Sequence, residues 1–284
     1  MAEADTPHDQ TQSAEPKRSE LNKRLISAAV LGIGAVVTAW IGGTLFLLVW
    51  TAAAFAVWWE WTGIIGASPR ALLIVVGALA LAGMAAALVM DAPAIAFLSA
   101  VIGGGIAAAS AYPARIWAFG GILYAGAVLV PAVMLRNDPA FGLIAILWLF
   151  AVVWAEDTGA YFAGRLIGGP KLAVRISPNK TWAGAIGGTF AGIAAGSAVL
   201  LAAGIPWRPV HMLVAFVIVV AAQLGDLLES AVKRRFGVKD TSMLIPGHGG
   251  MMDRIDGLLA AAVFALAIGL MRGGGAPATG LLSW

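Results

Sequence analysis

The sequence predicts an all-α polytopic membrane protein of about nine transmembrane helices with a cytoplasmic N-terminus. Three observations carry that prediction. Hydrophobic residues make up 60% of the 284-residue chain and charged ones only 12%, with a mean hydropathy of +0.89, whereas a soluble domain is about one-quarter charged. The apolar residues fall in runs long enough to cross a bilayer, which takes roughly 20 residues each. Once those runs are counted, Lys and Arg lie almost wholly on one side. The 36 glycines suit helices that approach closely in lipid. With no cysteine, a disulfide framework, a thiol nucleophile and a thiolate metal site are excluded. The net charge of +3 is modest, and no nucleic-acid partner is expected.

The elements follow in order. Residues 1–24 are polar and read as a disordered cytoplasmic tail. Lys23-Arg24 then precedes a long apolar run without a small-x-small cleavage site, so a retained first span over 25–41 is expected. Gly42-Gly43 separates it from a second span over 43–60. Turn chemistry marks the next breaks: Ser68-Pro69 before a span at 71–90, Asp91-Ala92-Pro93 before 92–112, and Tyr112-Pro113 before 116–135. Asn137-Asp138-Pro139 introduces the sixth span at 141–163, a polar stretch the seventh at 182–203, and Gly204-Ile205-Pro206 the eighth at 209–229. A ninth covers 253–271. The chain thus divides into a tail, N-terminal spans over 25–140, and a C-terminal region over 141–284 that holds the unusual polar residues and is expected to be catalytic.

With the N-terminus inside, Lys17, Arg18, Lys23, Arg24, Arg70, Arg115, Arg165, Lys171, Arg175, Lys180, Lys233, Arg234, Arg235, Lys239 and Arg254 all fall on the cytoplasmic side. Only Arg136, Arg208 and Arg272 fall outside, a strong positive-inside bias. The same topology puts the polar regions 164–181 and 230–252 together on the cytoplasmic face.

Those regions carry the chemistry. Asp157 follows Glu156 near the end of an apolar run, Asp226 and Glu229 sit three apart near the end of another, and Asp253 and Asp256 sit three apart at the start of the last. Residues at that spacing share a helix face. An ionised group at the bilayer centre costs about 2.5–3.5 kcal/mol even on the lenient insertion scale, so these acids need partners or a hydrated site. Without cysteine they favour a hard, oxygen-coordinated cation, Mg²⁺ being the natural choice, with room for a second cation as in phosphoryl-transfer sites. A cation-coupled transporter also buries carboxylates, but its acids lie near the midplane rather than at one face beside a basic loop.

The loop expected from Ser230 gathers Lys233, Arg234, Arg235 and Lys239, a cluster that suits phosphate recognition or an anionic lipid surface. Pro246-Gly247-His248-Gly249-Gly250 follows, where glycines let the backbone approach closely and amides opening a helix can cradle an anion. Ser177-Pro178-Asn179-Lys180-Thr181 reads as a polar turn and helix cap, with Ser177 and Lys180 in reach of a nucleotide or its phosphates.

Taken together, Ser230-x-x-Lys233-Arg234-x4-Lys239-Asp240-x-Ser242 and Pro246-Gly247-His248-Gly249-Gly250-x-x-Asp253-Arg254-x-Asp256 resemble the signature of the phosphatidate cytidylyltransferase (CDP-diacylglycerol synthase) family. Glu156-Asp157-Thr158-Gly159-Ala160-Tyr161, Ser177 to Trp182 and Gly225-Asp226-Leu227-Leu228-Glu229 are similar to further stretches of it. The likeness covers roughly residues 145–272; upstream only Trp59-Glu60-Trp61 and Leu123-Tyr124 echo it. The resemblance implies transfer of the cytidylyl group of CTP to phosphatidic acid, giving CDP-diacylglycerol and diphosphate for phospholipid biosynthesis, with Mg²⁺ required. It further implies a homodimer in a bacterial-type inner membrane, among membrane lipids, with the active site facing the cytoplasm.

On that resemblance Asp226 and Asp253 hold the metal, with Asp256 a further ligand or neighbour. Lys233, Arg234, Lys239 and Arg254 bind phosphates; Ser177, Asn179 and Lys180 contact CTP; Ser230, His248, Gly249 and Gly250 line the substrate site. The attacking phosphate is already ionised near neutral pH, so no dedicated base is needed. A CDP-alcohol phosphotransferase also uses membrane aspartates, but its Asp-Gly-x-x-Ala-Arg pattern lacks its arginine here, since Leu258-Leu259-Ala260-Ala261 follows Asp256-Gly257.

Overall fold

The computed structural model describes residues 14–247 and 249–284. Ten helices and one hairpin follow in order: α1 (Ala14–Ile41), α2 (Gly43–Ile64), α3 (Arg70–Val89), α4 (Pro93–Ser110), α5 (Arg115–Arg136), α6 (Gly142–Leu166), β1 (Lys171–Ala173), β2 (Ser177–Thr181), α7 (Trp182–Ala202), α8 (Pro209–Arg235), α9 (Met252–Gly273) and α10 (Pro277–Leu282). Among the described residues, α2 to α9 make eight helices long and apolar enough to cross a membrane, and α1 contributes a shorter apolar stretch, Ile26–Ile41. The chain is a multi-pass membrane protein with helices at all nine expected spans.

Three expectations change, and one element is new. The first helix starts at Ala14, so residues 14–24 continue it rather than belonging to a disordered tail; residues 1–13 lie outside the described residues. Ser230 does not open a loop, because α8 runs on to Arg235. Basic side chains at a helix C-terminus are favoured by the aligned peptide dipoles, and Lys233 pairs with Glu229 one turn back. The polar turn before α7 is the second strand of a hairpin, in which Lys171 faces Thr181 and Ala173 faces Ser177. Finally, a short buried helix, α10, follows the last span.

Buried tryptophans tie the N-terminal helices together. Trp58 and Trp61 of α2 donate their indole N–H to Leu73 O (2.9 Å) and Trp117 O (2.8 Å), joining α2 to α3 and α5. α5 packs against both α2 and α9 and so links the two halves.

α6 and α7 form the closest pair, and glycine explains why. Gly184, Gly188, Gly192 and Gly196 are buried along one stripe of α7. A Cβ on Gly188 would sit 2.7 Å from Glu156 O, and one on Gly192 would sit 3.0 Å from Val152 O. Only bare backbone allows that approach.

One end of the bundle is closed by structural polar contacts. Asp138, buried in the α5–α6 turn, accepts from Thr279 N (2.7 Å), Thr279 Oγ1 (3.0 Å) and Ala140 N (3.0 Å), which docks α10. Burial alone would push its carboxyl up, but these hydrogen bonds outweigh it and hold Asp138 below the usual carboxylate range. His211 Nδ1 accepts from Arg208 N, and His211 Nε2 lies 3.1 Å from Leu282 O. The unusual acids and bases of the sequence all gather at the other end.

Candidate active site

The site is built where α8 meets α9. Gly225 and Gly257 let these helices touch: a Cβ on Gly225 would lie 2.7 Å from Asp256 O, and one on Gly257 would lie 3.3 Å from Ala222 O. That approach brings side-chain oxygens of Asp226, Glu229 and Asp256 within 4.8 Å of one another. Asp226 and Glu229 are one turn apart on α8, and Asp256 faces them from the first turns of α9. Glu229 is 1% exposed, and its Oε1 is buried without a hydrogen-bond partner among the described residues. A buried, unpaired carboxylate oxygen is costly, and three hard oxygen donors around one point suit a divalent cation such as Mg²⁺.

Two lysines border this cluster. Lys180, from β2, makes an ion pair with Asp226. Lys233 Nζ bridges Glu229 Oε2 (2.8 Å) and Asp253 Oδ1 (2.7 Å). The second Asp253 oxygen accepts from Gly250 N (2.9 Å), Thr241 N (3.0 Å) and Thr241 Oγ1 (2.9 Å). Asp253 therefore anchors the loop after α8 and adjoins the three-carboxylate group through the lysine it shares with Glu229. It lies one helical turn before Asp256, on the side of α9 that faces the loop.

That loop turns on Gly247 (φ 77°) and Gly249 (φ 80°), a backbone region that L side chains seldom enter. Ile245 N donates to Gly249 O across the turn at 2.8 Å.

A cavity of about 630 Å³ opens beside the acids, within the range of small-ligand sites. Glu156, Asp157, Asn179, Lys180, Gln223 and Asp226 line it. Gln223 Nε2 donates to Glu156 Oε1 (3.1 Å) and Ala185 O (3.0 Å), fixing α8 against α6 and α7. Thr181 Oγ1 accepts from Gly184 N at 3.0 Å and caps α7, so the strand that carries Lys180 and Asn179 is held at its end.

The sequence model described as the cytidylyltransferase family matches residues 22–271, nearly the whole chain. The chain belongs to that family. It is 40% identical over 253 residues to a phosphatidate cytidylyltransferase of Brucella suis, covering 88% of this chain and 94% of the relative. It is 42% identical over 157 residues to the Haemophilus influenzae protein of that name, 50% of this chain and 54% of the relative. To the Bacillus subtilis protein of that name it is 39% identical over 138 residues, 48% and 51% of the two chains.

Against the expected cytidylyltransferase residues, the structure brings Asp226, Asp256 and Lys180 together, with Asn179 on the cavity wall. Ser230 Oγ lies 3.4 Å from Asp226 Oδ1, and Lys233 and Asp253 form the adjoining bridge. Ser177 opens β2. Arg234 lies on the exposed side and donates to Ile176 O (3.3 Å) and Val238 O (3.4 Å), clasping the hairpin turn. Lys239 and Arg254 are exposed at the same end, Gly249 and Gly250 flank the Asp253 anchor, and His248 lies outside the described residues.

Three side chains of this cytidylyltransferase went unassigned in the sequence. Glu229 reads in the sequence as a carboxylate on the Asp226 face, with no pattern that marks it as a ligand. Gln223 gives no local signal, being one amide in an apolar helix. Glu60, buried in the last turns of α2, shows in the sequence only as part of Trp59-Glu60-Trp61.

Proposed function

We infer that this protein transfers the cytidylyl group of CTP to phosphatidate, releasing diphosphate and forming CDP-diacylglycerol. A phosphate oxygen of phosphatidate bonds to the α-phosphorus of CTP, and the bond from that phosphorus to the oxygen of the leaving diphosphate breaks. Both reactants are anions, so the protein's task is to neutralise charge and hold them in line. A cation such as Mg²⁺, when bound, supplies charge neutralisation at the phosphates. Asp226, Glu229 and Asp256 would hold it, and the acidic wall of Glu156 and Asp157 leaves scope for a second.

The protein's own residues do the rest. Lys180 is paired to Asp226 and reaches the cavity, so it can exchange that carboxylate for a nucleotide phosphate. Lys233 holds Glu229 and Asp253 in register, and Lys239 and Arg254 offer exposed cationic groups to phosphates. The site faces the cytoplasm in this reading, supported by the positive-inside bias, and a homodimer in a bacterial-type inner membrane belongs to the same reading.

The observation that carries the reading is the convergence of three carboxylates around the unpartnered Glu229 oxygen, beside Lys180 and a nucleotide-sized cavity. The purified full chain, given labelled CTP, phosphatidate and Mg²⁺ in detergent, is expected to form CDP-diacylglycerol. Asp226→Asn should lower turnover roughly 100-fold or more, the scale of losing a group that stabilises transition-state charge. Absence of product from the unmodified protein, or near-normal turnover in the variant, would overturn the corresponding claim.

A further inference from the structure

Glu60 lies in the N-terminal half of the chain, on α2, yet its carboxylate reaches the catalytic end. It is 1% exposed in the last turns of α2. Its Oε1 accepts from Ser242 Oγ (2.6 Å) and Met251 N (2.8 Å), and its Oε2 accepts from Met252 N (2.8 Å). Thr241 Oγ1 lies 3.3 Å from Oε2 and 2.9 Å from Asp253 Oδ2. One hydroxyl proton serves one acceptor at a time, so Thr241 donates to Asp253 and sits between the two carboxylates.

These contacts have a structural logic. Met251, at the N-cap of α9, has no side chain able to cap the helix, and the first amides of a helix lack partners within it. Glu60 takes the place of the missing cap from a helix nearly 200 residues away in sequence. Its negative charge also lies where the helix dipole favours an anion. Gly250 makes room for it: a Cβ there would sit 2.6 Å from Glu60 Oε1. The neighbouring Trp58 and Trp61 indoles, each bonded to a backbone carbonyl of another helix, fix the turn of α2 from which Glu60 projects.

We propose that Glu60 is a positioning residue for cytidylyl transfer, a cap in trans that sets where α9 begins and how the 241–252 segment lies against α8. Resting on the function proposed above, the effect travels by defined steps. Glu60 holds Met251, Met252 and Ser242; the same segment presents Thr241 and Gly250 to Asp253. Asp253 holds Lys233, and Lys233 holds Glu229 beside Asp226 and Asp256. A shift in the start of α9 moves Asp256 directly.

Glu60→Gln is the informative substitution. Each carboxylate oxygen receives one backbone N–H, so no orientation of an amide satisfies both; its NH₂ must face one of them. Two readouts apply to the full chain in lipid nanodiscs. In hydrogen exchange, peptides covering 241–252 should exchange roughly tenfold faster or more in the variant, since a backbone amide has lost its charged acceptor, while peptides from the hairpin at 171–181 remain unchanged. In steady-state assays kcat should fall roughly 10- to 100-fold, the scale of an ångström-sized misplacement, with KM for CTP within about twofold of the unmodified protein. Glu60→Asp, which keeps both acceptors on a shorter arm, should recover part of that loss.

Ser242→Ala removes one contact from a partly exposed residue and serves if Glu60→Gln does not fold. It should shift both readouts the same way by roughly threefold, and add nothing in the Glu60→Gln background. Unchanged exchange in both variants overturns the cap, and faster exchange with unchanged kcat overturns its role in the reaction. If the unmodified protein forms no CDP-diacylglycerol, the proposed function fails instead, and the exchange result alone decides whether the cap stands.

Discussion

Asp253 and Asp256 differ by one helical turn and have different surroundings. Asp253 spends both oxygens on Lys233, Thr241 and Gly250, whereas Asp256 converges with Asp226 and Glu229. Asp253→Asn should therefore act through loop order and the Lys233 bridge. Breaking a buried ion pair costs about 3–5 kcal/mol, so the variant should lose thermal stability as well as activity. Asp256→Asn, by contrast, should lose activity with its melting temperature held or raised, since it relieves repulsion among clustered acids. Thermal unfolding of the two purified variants separates these outcomes; equal destabilisation would remove the distinction. The two acid pairs are legible in the sequence, because three-residue spacing puts each on one helix face. The sequence could not say which member of each pair turns toward the other helix, since that depends on how α8 and α9 are rotated at their glycine contact. Glu60 was less legible still, because its partners lie beyond 180 residues away and no local pattern encodes them.

At the scale of elements, the order of the apolar helices α1 to α9 followed from hydropathy and turn residues alone. The ends were harder to read. α8 continues through Ser230 to Arg235 because an ion pair one turn apart and the helix dipole favour the basic run, where the change from apolar to charged residues suggested a loop. The hairpin at 171–181 is too short to give a strand pattern. The glycine stripe of α7 was visible as composition, but its target, the backbone of α6 at Val152 and Glu156, was not. That contact makes a prediction. Gly188→Ala drives a Cβ against Glu156 O, and overpacking of this kind costs about 1–3 kcal/mol. A melting temperature lower by roughly 3–10 °C is expected, with reduced activity because Glu156 and Gln223 border the cavity. Gly120→Ala in α5 is the matched control: a Cβ there meets nothing within 4 Å, and alanine is the better helix former. Equal effects from the two substitutions would refute the close-packing account of the α6–α7 pair.

For the whole molecule, the direction the site faces decides whether it meets its substrate. Ala140 precedes α6 and Met243 follows α8, so three membrane-spanning helices separate them. An odd number of crossings puts these residues on opposite sides whichever way the protein inserts. With nine crossings, fifteen of the 18 Lys and Arg residues are expected on the side of Met243, which favours the cytoplasm for that side. Function requires the same direction, because CTP carries several negative charges and does not cross a bilayer unaided. The absence of cysteine makes the test direct. Ala140→Cys and Met243→Cys, both at exposed positions, are introduced singly and treated with a membrane-impermeant maleimide on intact spheroplasts. Cysteine at 140 should react at once, and cysteine at 243 only after permeabilisation. The reverse pattern would put the carboxylates, Lys180 and the cavity on the face without nucleotide, and reaction of both in intact cells would break the three-helix count between them. Either result would detach the site from its proposed substrate, because a cytidylyltransferase whose lysines face away from CTP has no means of drawing it in.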